Sequence, residues 1–114
     1  KSDLALRLID NGATLISDDI SICKKNLNNI YLYCPPEIKG LLEVREIGII
    51  TVPFVERIKL KLVVNLKSKK NKRFPEDNYF KILGIKVPLI NIDGKNSSAV
   101  AKIKVKLNEI SETI

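Results

Sequence analysis

Between Ile58 and Lys67 the residues Ile58, Leu60, Leu62, Val64 and Leu66 alternate with Lys59, Lys61, Val63, Asn65 and Lys67. A period of two sends successive side chains to opposite faces, so the stretch reads as a half-buried β-strand and not as a helix. Such a strand needs neighbours in a sheet and a layer to cover its apolar face. Two segments of helical period can supply that layer. Leu4, Ala5, Leu8 and Ile9 recur at helical spacing from Ser2 to Asn11, with Asp3, Arg7 and Asp10 facing away and Gly12 placed to stop the helix. From Ser97 onward, Ala99, Val100, Ile103, Leu107 and Ile110 form one stripe of a closing helix, with lysines opposite.

Shorter strands are expected between these helices. Ala13 to Ile16 is apolar and β-prone and ends at Ser17-Asp18-Asp19. Ile20 and Ile22, then Ile30 and Leu32, alternate with polar residues on either side of Asn26-Leu27-Asn28-Asn29, which reads as a hairpin. Pro35-Pro36 breaks the second strand, and Pro36 to Leu42 has room for one helical turn or two. In Leu41 to Val55 the charges Glu43, Arg45 and Glu46 lie between apolar flanks, as at a strand end or a loop facing a cleft. Lys67 to Lys72 reads as a basic turn. Tyr79 to Val87 and Leu89 to Ile92 read as strands around Gly84 and Pro88, and Asp93-Gly94 as a turn. There are no internal repeats and no low-complexity linker.

Composition narrows the chemistry. A chain of 114 residues, 45% of them hydrophobic, is expected to fold as one domain with one core. The formal charge of +7 favours acidic partners such as nucleotide phosphates, an acidic protein surface or nucleic acid, although heavy use of Lys, Asn and Ile makes part of the excess compositional. Histidine is absent, which removes Ser-His-Asp and Cys-His catalysis and most zinc sites within these residues. Whatever chemistry is present must run on Asp, Glu, Lys and Arg. Cys23 and Cys34 lack a C-x-x-C spacing and read as two reduced thiols, with a disulfide across the hairpin as the lesser alternative. No stretch approaches the roughly 20 apolar residues of a membrane span, and there is no signal-peptide core. The expectation is a soluble, cytoplasmic protein.

The chain opens Lys1-Ser2-Asp3 straight into the first helix. Lys-Ser at a helix start also fits an ordinary exposed cap. Taken alone the dipeptide favours that cap, but it is also the end of a phosphate-binding loop G-x-x-x-x-G-K-[ST], in which the Lys reaches the β- and γ-phosphates and the next hydroxyl binds Mg²⁺. An acidic pair such as Asp18-Asp19, at the end of a neighbouring strand, can serve a metal and a nucleophile. On that reading the glycines and the strand before them would precede Lys1. The chain would then be a piece of a longer domain or one that cannot catalyse.

Four segments in succession carry a family likeness: Lys1-Ser2-Asp3-Leu4-Ala5-Leu6-Arg7-Leu8-Ile9, Gly12-Ala13-Thr14-Leu15-Ile16-Ser17-Asp18-Asp19, Leu42-Glu43-Val44-Arg45-Glu46-Ile47-Gly48-Ile49-Ile50, and Ile82-Leu83-Gly84-Ile85-Lys86-Val87-Pro88. From Lys1 to about Leu107 the chain resembles the catalytic domain of HPr kinase/phosphorylase, in particular the short form of many alphaproteobacteria, cut at the phosphate-binding loop. The resemblance implies an α/β fold of the P-loop, HPr kinase/PEP carboxykinase-like type, a mixed β-sheet with flanking helices, spanning 1–114 as a single domain. It implies phosphorylation of a serine of the phosphocarrier protein HPr from ATP or pyrophosphate with Mg²⁺, and removal of that phosphate by phosphorolysis. It also implies control of sugar phosphotransferase or carbon metabolism and a homo-oligomer, a hexamer in the family.

By the same resemblance Lys1 and Ser2 bind the nucleotide, and Asp18 is the general base. Ser2, Asp19 and Glu43 serve the metal, and Arg45 and Arg73 handle the phosphoryl group. Glu43-Val44-Arg45 matches the family's Glu-x-Arg-Gly signature. The family often has Gly after the Arg and this chain has Glu46, which leaves the loop's conformation and its phosphate affinity open. The family's basic segment after the last Pro is not matched, since the chain reads Asn91-Ile92-Asp93-Gly94-Lys95. Two other classes remain. Glu46 and the altered later segment favour a degenerate regulatory domain that binds nucleotide or phosphoprotein without turnover. The run Lys67 to Arg73 favours a nucleic-acid-binding module, against which stand an aromatic content of only 5% and no stacking motif.

Overall fold

The computed structural model describes residues 2–66 and 78–112. Their order is α1 (Ser2–Asp10), β1 (Ile22–Asn26), β2 (Asn29–Tyr33), a 3₁₀ turn at Pro36–Ile38, β3 (Leu41–Val44), β4 (Gly48–Thr51), β5 (Arg57–Lys59), β6 (Val63–Asn65), β7 (Asn78–Ile82), β8 (Ile85–Asn91) and α2 (Ala99–Glu112). The chain divides into two compact units, Lys1–Leu60 and Lys61–Ile114. The expected basic turn Lys67 to Lys72 lies outside the described residues.

In the first unit α1 begins where its sequence predicts, and the chain reverses through Gly12 at φ 97°. Arg7 Nε lies 3.4 Å from Asp3 Oδ2 one turn earlier on its outer face. Its inner face sets Ala5, Leu6 and Ile9 on a core of Leu15, Leu42, Val44 and Val52. β3 and β4 form the antiparallel hairpin under the helix, with Leu42 opposite Ile50 and Glu43 opposite Ile49. Gly40 leads into β3 at φ 71°, and a Cβ there would stand 2.8 Å from Phe54 Cδ1. Only glycine admits both that backbone and that ring. β1, β2 and β5 form a separate antiparallel sheet with β2 in the middle.

The expected strand Ala13 to Ile16 is reduced to a single parallel bridge, Leu15 to Phe54. Leu15 N–H donates to the Pro53 carbonyl and Val55 N–H donates to the Leu15 carbonyl. The ladder cannot extend back to Ala13, because its next donor would be the nitrogen of Pro53, which carries no hydrogen.

The long alternating stretch also needs correction. It is not one strand: Arg57–Lys59 is an edge of the first unit's sheet, and Val63–Asn65 belongs to the second unit. Leu60 still donates its N–H to the Ile30 carbonyl, after which the chain changes sheets. Periodicity reports which side chains share a face and is blind to which sheet owns them.

In the second unit β8 is central, parallel to β6 and antiparallel to β7. Pro88 does not interrupt it, contrary to the expected break. β6 joins β8 only from Leu89 onward, so at Pro88 the strand is paired on the β7 side alone and one missing N–H is tolerated. Val87, Ile92, Ala99 and Ile103 are buried. The Asp93-Gly94 turn is confirmed by Asp93 Oδ1, which accepts the Lys95 N–H, and by the Asp93 carbonyl, which accepts the Asn96 N–H. Asn96 Oδ1 then accepts the Ser98 N–H at 2.9 Å just ahead of α2.

Candidate functional site

The acidic pair stands at a bend that the backbone makes sharply. Asp18 accepts the Ile20 N–H at its carbonyl across Asp19, which has φ 63°. This is a three-residue γ-turn of the sparsely populated positive-φ form, in a residue type that tolerates it. The Ser17 hydroxyl closes the same bend by donating to the Ile20 carbonyl. Strained backbone of this kind concentrates at functional sites.

The bend opens on a cleft of about 230 Å³ lined by Ala5, Leu15, Ser17, Asp18, Asp19, Ser21 and Leu42. That is below the roughly 300–1,000 Å³ of pockets for drug-sized ligands, so it fits a phosphate-sized group better than a base and ribose. Its lining combines apolar residues of the α1 core, Ala5, Leu15 and Leu42, with the acidic pair and two serines. Ala5, in the first turn of α1, brings the helix start beside the acidic pair.

Glu43 reaches this site through its main chain. Its N–H donates to Asp18 Oδ2 at 3.0 Å. The contact fixes one carboxylate oxygen of Asp18 and docks β3 against the bend. Arg45 follows at the tip of the hairpin, where Ile47 N–H donates to the Val44 carbonyl and Glu46 sits at φ 73°. A positive φ at the second central residue of such a turn is the place for glycine. Arg45 and Glu46 are both exposed.

Of the residues singled out in the sequence, the structure therefore brings together Asp18, Asp19 and Glu43, and places Arg45 two residues beyond the contact. Ser2 opens α1. Lys1 and Arg73 lie outside the described residues. Ser17 and Ser21 were not singled out, although Ser-Asp-Asp-Ile-Ser is a dense run of hard oxygen donors. Among the described residues no three His, Cys, Asp or Glu side chains cluster as a ready metal set. Cys23 and Cys34 are both free thiols, the first exposed and the second buried.

The resolved titration shifts fall elsewhere in this unit. Lys39 Nζ donates to Glu56 Oε1 at 2.8 Å. That hydrogen bond, and then the Glu56 charge, holds the Lys39 ammonium above its ordinary pKa, and the same contact holds Glu56 below its own.

Comparison with known proteins bears out the family likeness carried by the four sequence segments. The family model described as HPr Serine kinase C-terminal domain matches residues 1–111, and the chain belongs to that family. It is 31% identical over 121 residues to the HPr kinase/phosphorylase of Cupriavidus metallidurans, covering 93% of this chain and 38% of the relative. It is 33% identical over 129 residues to the HPr kinase/phosphorylase of Malacoplasma penetrans, covering 95% of this chain and 43% of the relative. The chain thus spans about two fifths of the length of these curated relatives. Among solved structures, the HPr(Ser) kinase/phosphatase from Coxiella burnetii superposes with a TM-score of 0.74 at 28% identity, covering 99% of this chain and 81% of that one. The mixed α/β fold expected from the sequence is the fold of that neighbour.

Proposed function

We propose that this chain carries the phosphoryl-transfer site of an enzyme that phosphorylates a serine of HPr from ATP or pyrophosphate and removes the phosphate by phosphorolysis. The observation that carries the proposal is the Asp18 carboxylate, held by the Glu43 amide at the wall of a phosphate-sized cleft beside the start of α1. A base must lie beside the acceptor hydroxyl and keep a fixed direction. With Oδ2 committed to the amide, Oδ1 of Asp18 takes the proton of the serine as its oxygen bonds the transferred phosphorus and the bond from that phosphorus to ADP, or to phosphate when pyrophosphate is the donor, breaks. In reverse, inorganic phosphate bonds the phosphorus, the bond to the serine oxygen breaks, the protonated Asp18 returns its proton to that oxygen, and pyrophosphate leaves.

The first turn of α1 offers N–H groups without intrahelical partners, and its dipole favours an anion there. Lys1 and Ser2 would hold the nucleotide phosphates at that end. The donor set of Ser2, Asp19 and Glu43 is all hard oxygen and would suit Mg²⁺, which when bound would supply charge neutralisation for the transferred phosphoryl group. Arg45 and Arg73 would stabilise charge on the transferred group. HPr as protein substrate, a hexameric assembly and a cytoplasmic location belong to the same proposal. Among the described residues no helix is long and apolar enough to cross a membrane.

The test is transfer of labelled phosphate from ATP to HPr with Mg²⁺, and its release by inorganic phosphate. One observation favours a second reading, a degenerate domain that binds without turnover: Glu46 occupies a left-handed position. Saturable binding of ATP and HPr with no transfer in either direction would select it.

A further inference from the structure

The sheet β1-β2-β5 has one face on which no residue is buried and every charge is positive. Its register aligns Ile22, Tyr33 and Arg57 in one row and Lys24, Tyr31 and Lys59 in the next. Lys24 Nζ stands 5.0 Å from the centre of the Tyr33 ring, and the Arg57 guanidinium 4.2 Å from that of Tyr31. No acidic residue occurs in any of the three strands. Glu56, just before β5, is occupied by Lys39. The other face differs, since Ile30 is 1% exposed.

We infer that this cation–tyrosine face docks an acidic segment of the protein that receives the phosphoryl group, apart from the cleft; the inference rests on the proposed function. Lysines on β1 and β5 also guard exposed strand edges against pairing with other chains. Edge protection does not account for β2, the central strand, which turns two tyrosines to this face and has cations drawn in from both sides over the rings. Bracing by the rings fixes the positive groups before a partner arrives, so less side-chain freedom is lost on binding.

The occupant follows from size and chemistry. Three strands about 4.8 Å apart, two of five residues and one of three, make a platform of about 10 by 17 Å that narrows toward β5, the footprint of one extended peptide or one helix. Carboxylates complement three cations that have no acidic partner among the described residues. Single-stranded nucleic acid would place bases on the ring faces, where Lys24 and Arg57 already lie.

The experiment titrates the full chain with unphosphorylated HPr, without nucleotide, following backbone amides by NMR, and repeats it with K24E/R57E/K59E. Shifts at Lys24, Tyr31, Tyr33 and Lys59 are expected. So is a loss of affinity of about tenfold or more in the charge-reversed variant, shrinking as salt is raised. Affinity for ATP should not change. If the triple variant melts early, K24Q/K59Q, which keeps Arg57 over Tyr31, takes its place and should lose about threefold or more. Shifts confined to the Asp18–Glu43 region, or equal HPr affinity in the folded variants, would overturn the docking face and leave the proposed reaction standing. Displacement of HPr from this face by a single-stranded RNA of higher affinity would overturn it in favour of nucleic acid. HPr bound on the face but never phosphorylated would support docking and sink the reaction instead.

Discussion

The Asp18 carboxylate is tied to Glu43 by that residue's backbone amide, and so independently of which side chain Glu43 carries. β3 thus orients the candidate base through a group that mutation at position 43 leaves in place, and the Glu43 side chain is not used up by the contact. Asp18→Asn keeps an oxygen to accept the amide and removes only the basicity. Both phosphorylation and phosphorolysis should fall by about 10²–10⁴-fold, the range of a lost general base. Nucleotide affinity, read by calorimetry, should stay within error of the parent. Equal loss of binding and rate would make Asp18 structural.

Glu46 holds a left-handed backbone at the tip of the β3–β4 hairpin, a conformation that costs a residue with a Cβ about 1–2 kcal/mol. Glu46→Gly should therefore stabilise the protein by up to about 1 kcal/mol. Urea midpoints check this. An unchanged or lowered midpoint would mean that the Glu46 side chain contributes more than its backbone costs.

Gly40→Ala meets two obstacles at once, the φ of 71° and Phe54 Cδ1 at 2.8 Å from the new methyl. The expected loss is about 1–3 kcal/mol, from left-handed strain and overpacking together. Pairing it with Phe54→Leu separates the causes. Recovery in the double variant measures the clash, and what persists measures the backbone.

The Lys39–Glu56 pair gives a pH dependence whose sign is fixed. Glu56 has a lowered folded pKa, so its contribution is present above the ordinary carboxylate range and is lost as pH falls through the folded value. Lys39 has a raised folded pKa, so its contribution is present below the ordinary lysine range and is lost as pH rises through the folded value. Both groups are exposed and the effect is small and salt-sensitive. Glu56→Gln should lower the melting temperature across the middle of the pH range, with the difference from the parent vanishing at both ends, while leaving transfer activity unchanged. A difference from the parent that persists at both pH extremes would refute the ion pair as its source.

Much of this fold can be read directly from the residues. The two helices, the β1–β2 hairpin and the Asp93 turn rest on local signals: periodicity, turn residues and caps; the strands around Gly84 and Pro88 were legible too, but their break was expected at Pro88 and falls at Leu83-Gly84. What sequence could not show depended on remote partners. Pro53 decides that Ala13 to Ile16 is not a strand, and the change of sheet after Leu60 divides a stretch whose alternation never falters. At the site, Asp18 and Asp19 were visible as an acidic pair beside an apolar run. That Glu43 would meet Asp18 by its amide was not, because every residue but proline carries that donor and only the tertiary register of β3 selects one.

The parallel pairing of β6 with β8 bears on the order in which the second unit is assembled. Asn65 Nδ2 donates to Asn91 Oδ1 across a separation of 26 residues, whereas β7 and β8 are joined by the two residues Leu83 and Gly84. A hairpin of the latter kind closes in about 1–10 µs, while a distant strand must first meet the entropy of closing its loop. β7–β8 is thus the early template and β6 the late arrival, so weakening β6 should accelerate unfolding of this unit far more than it slows folding.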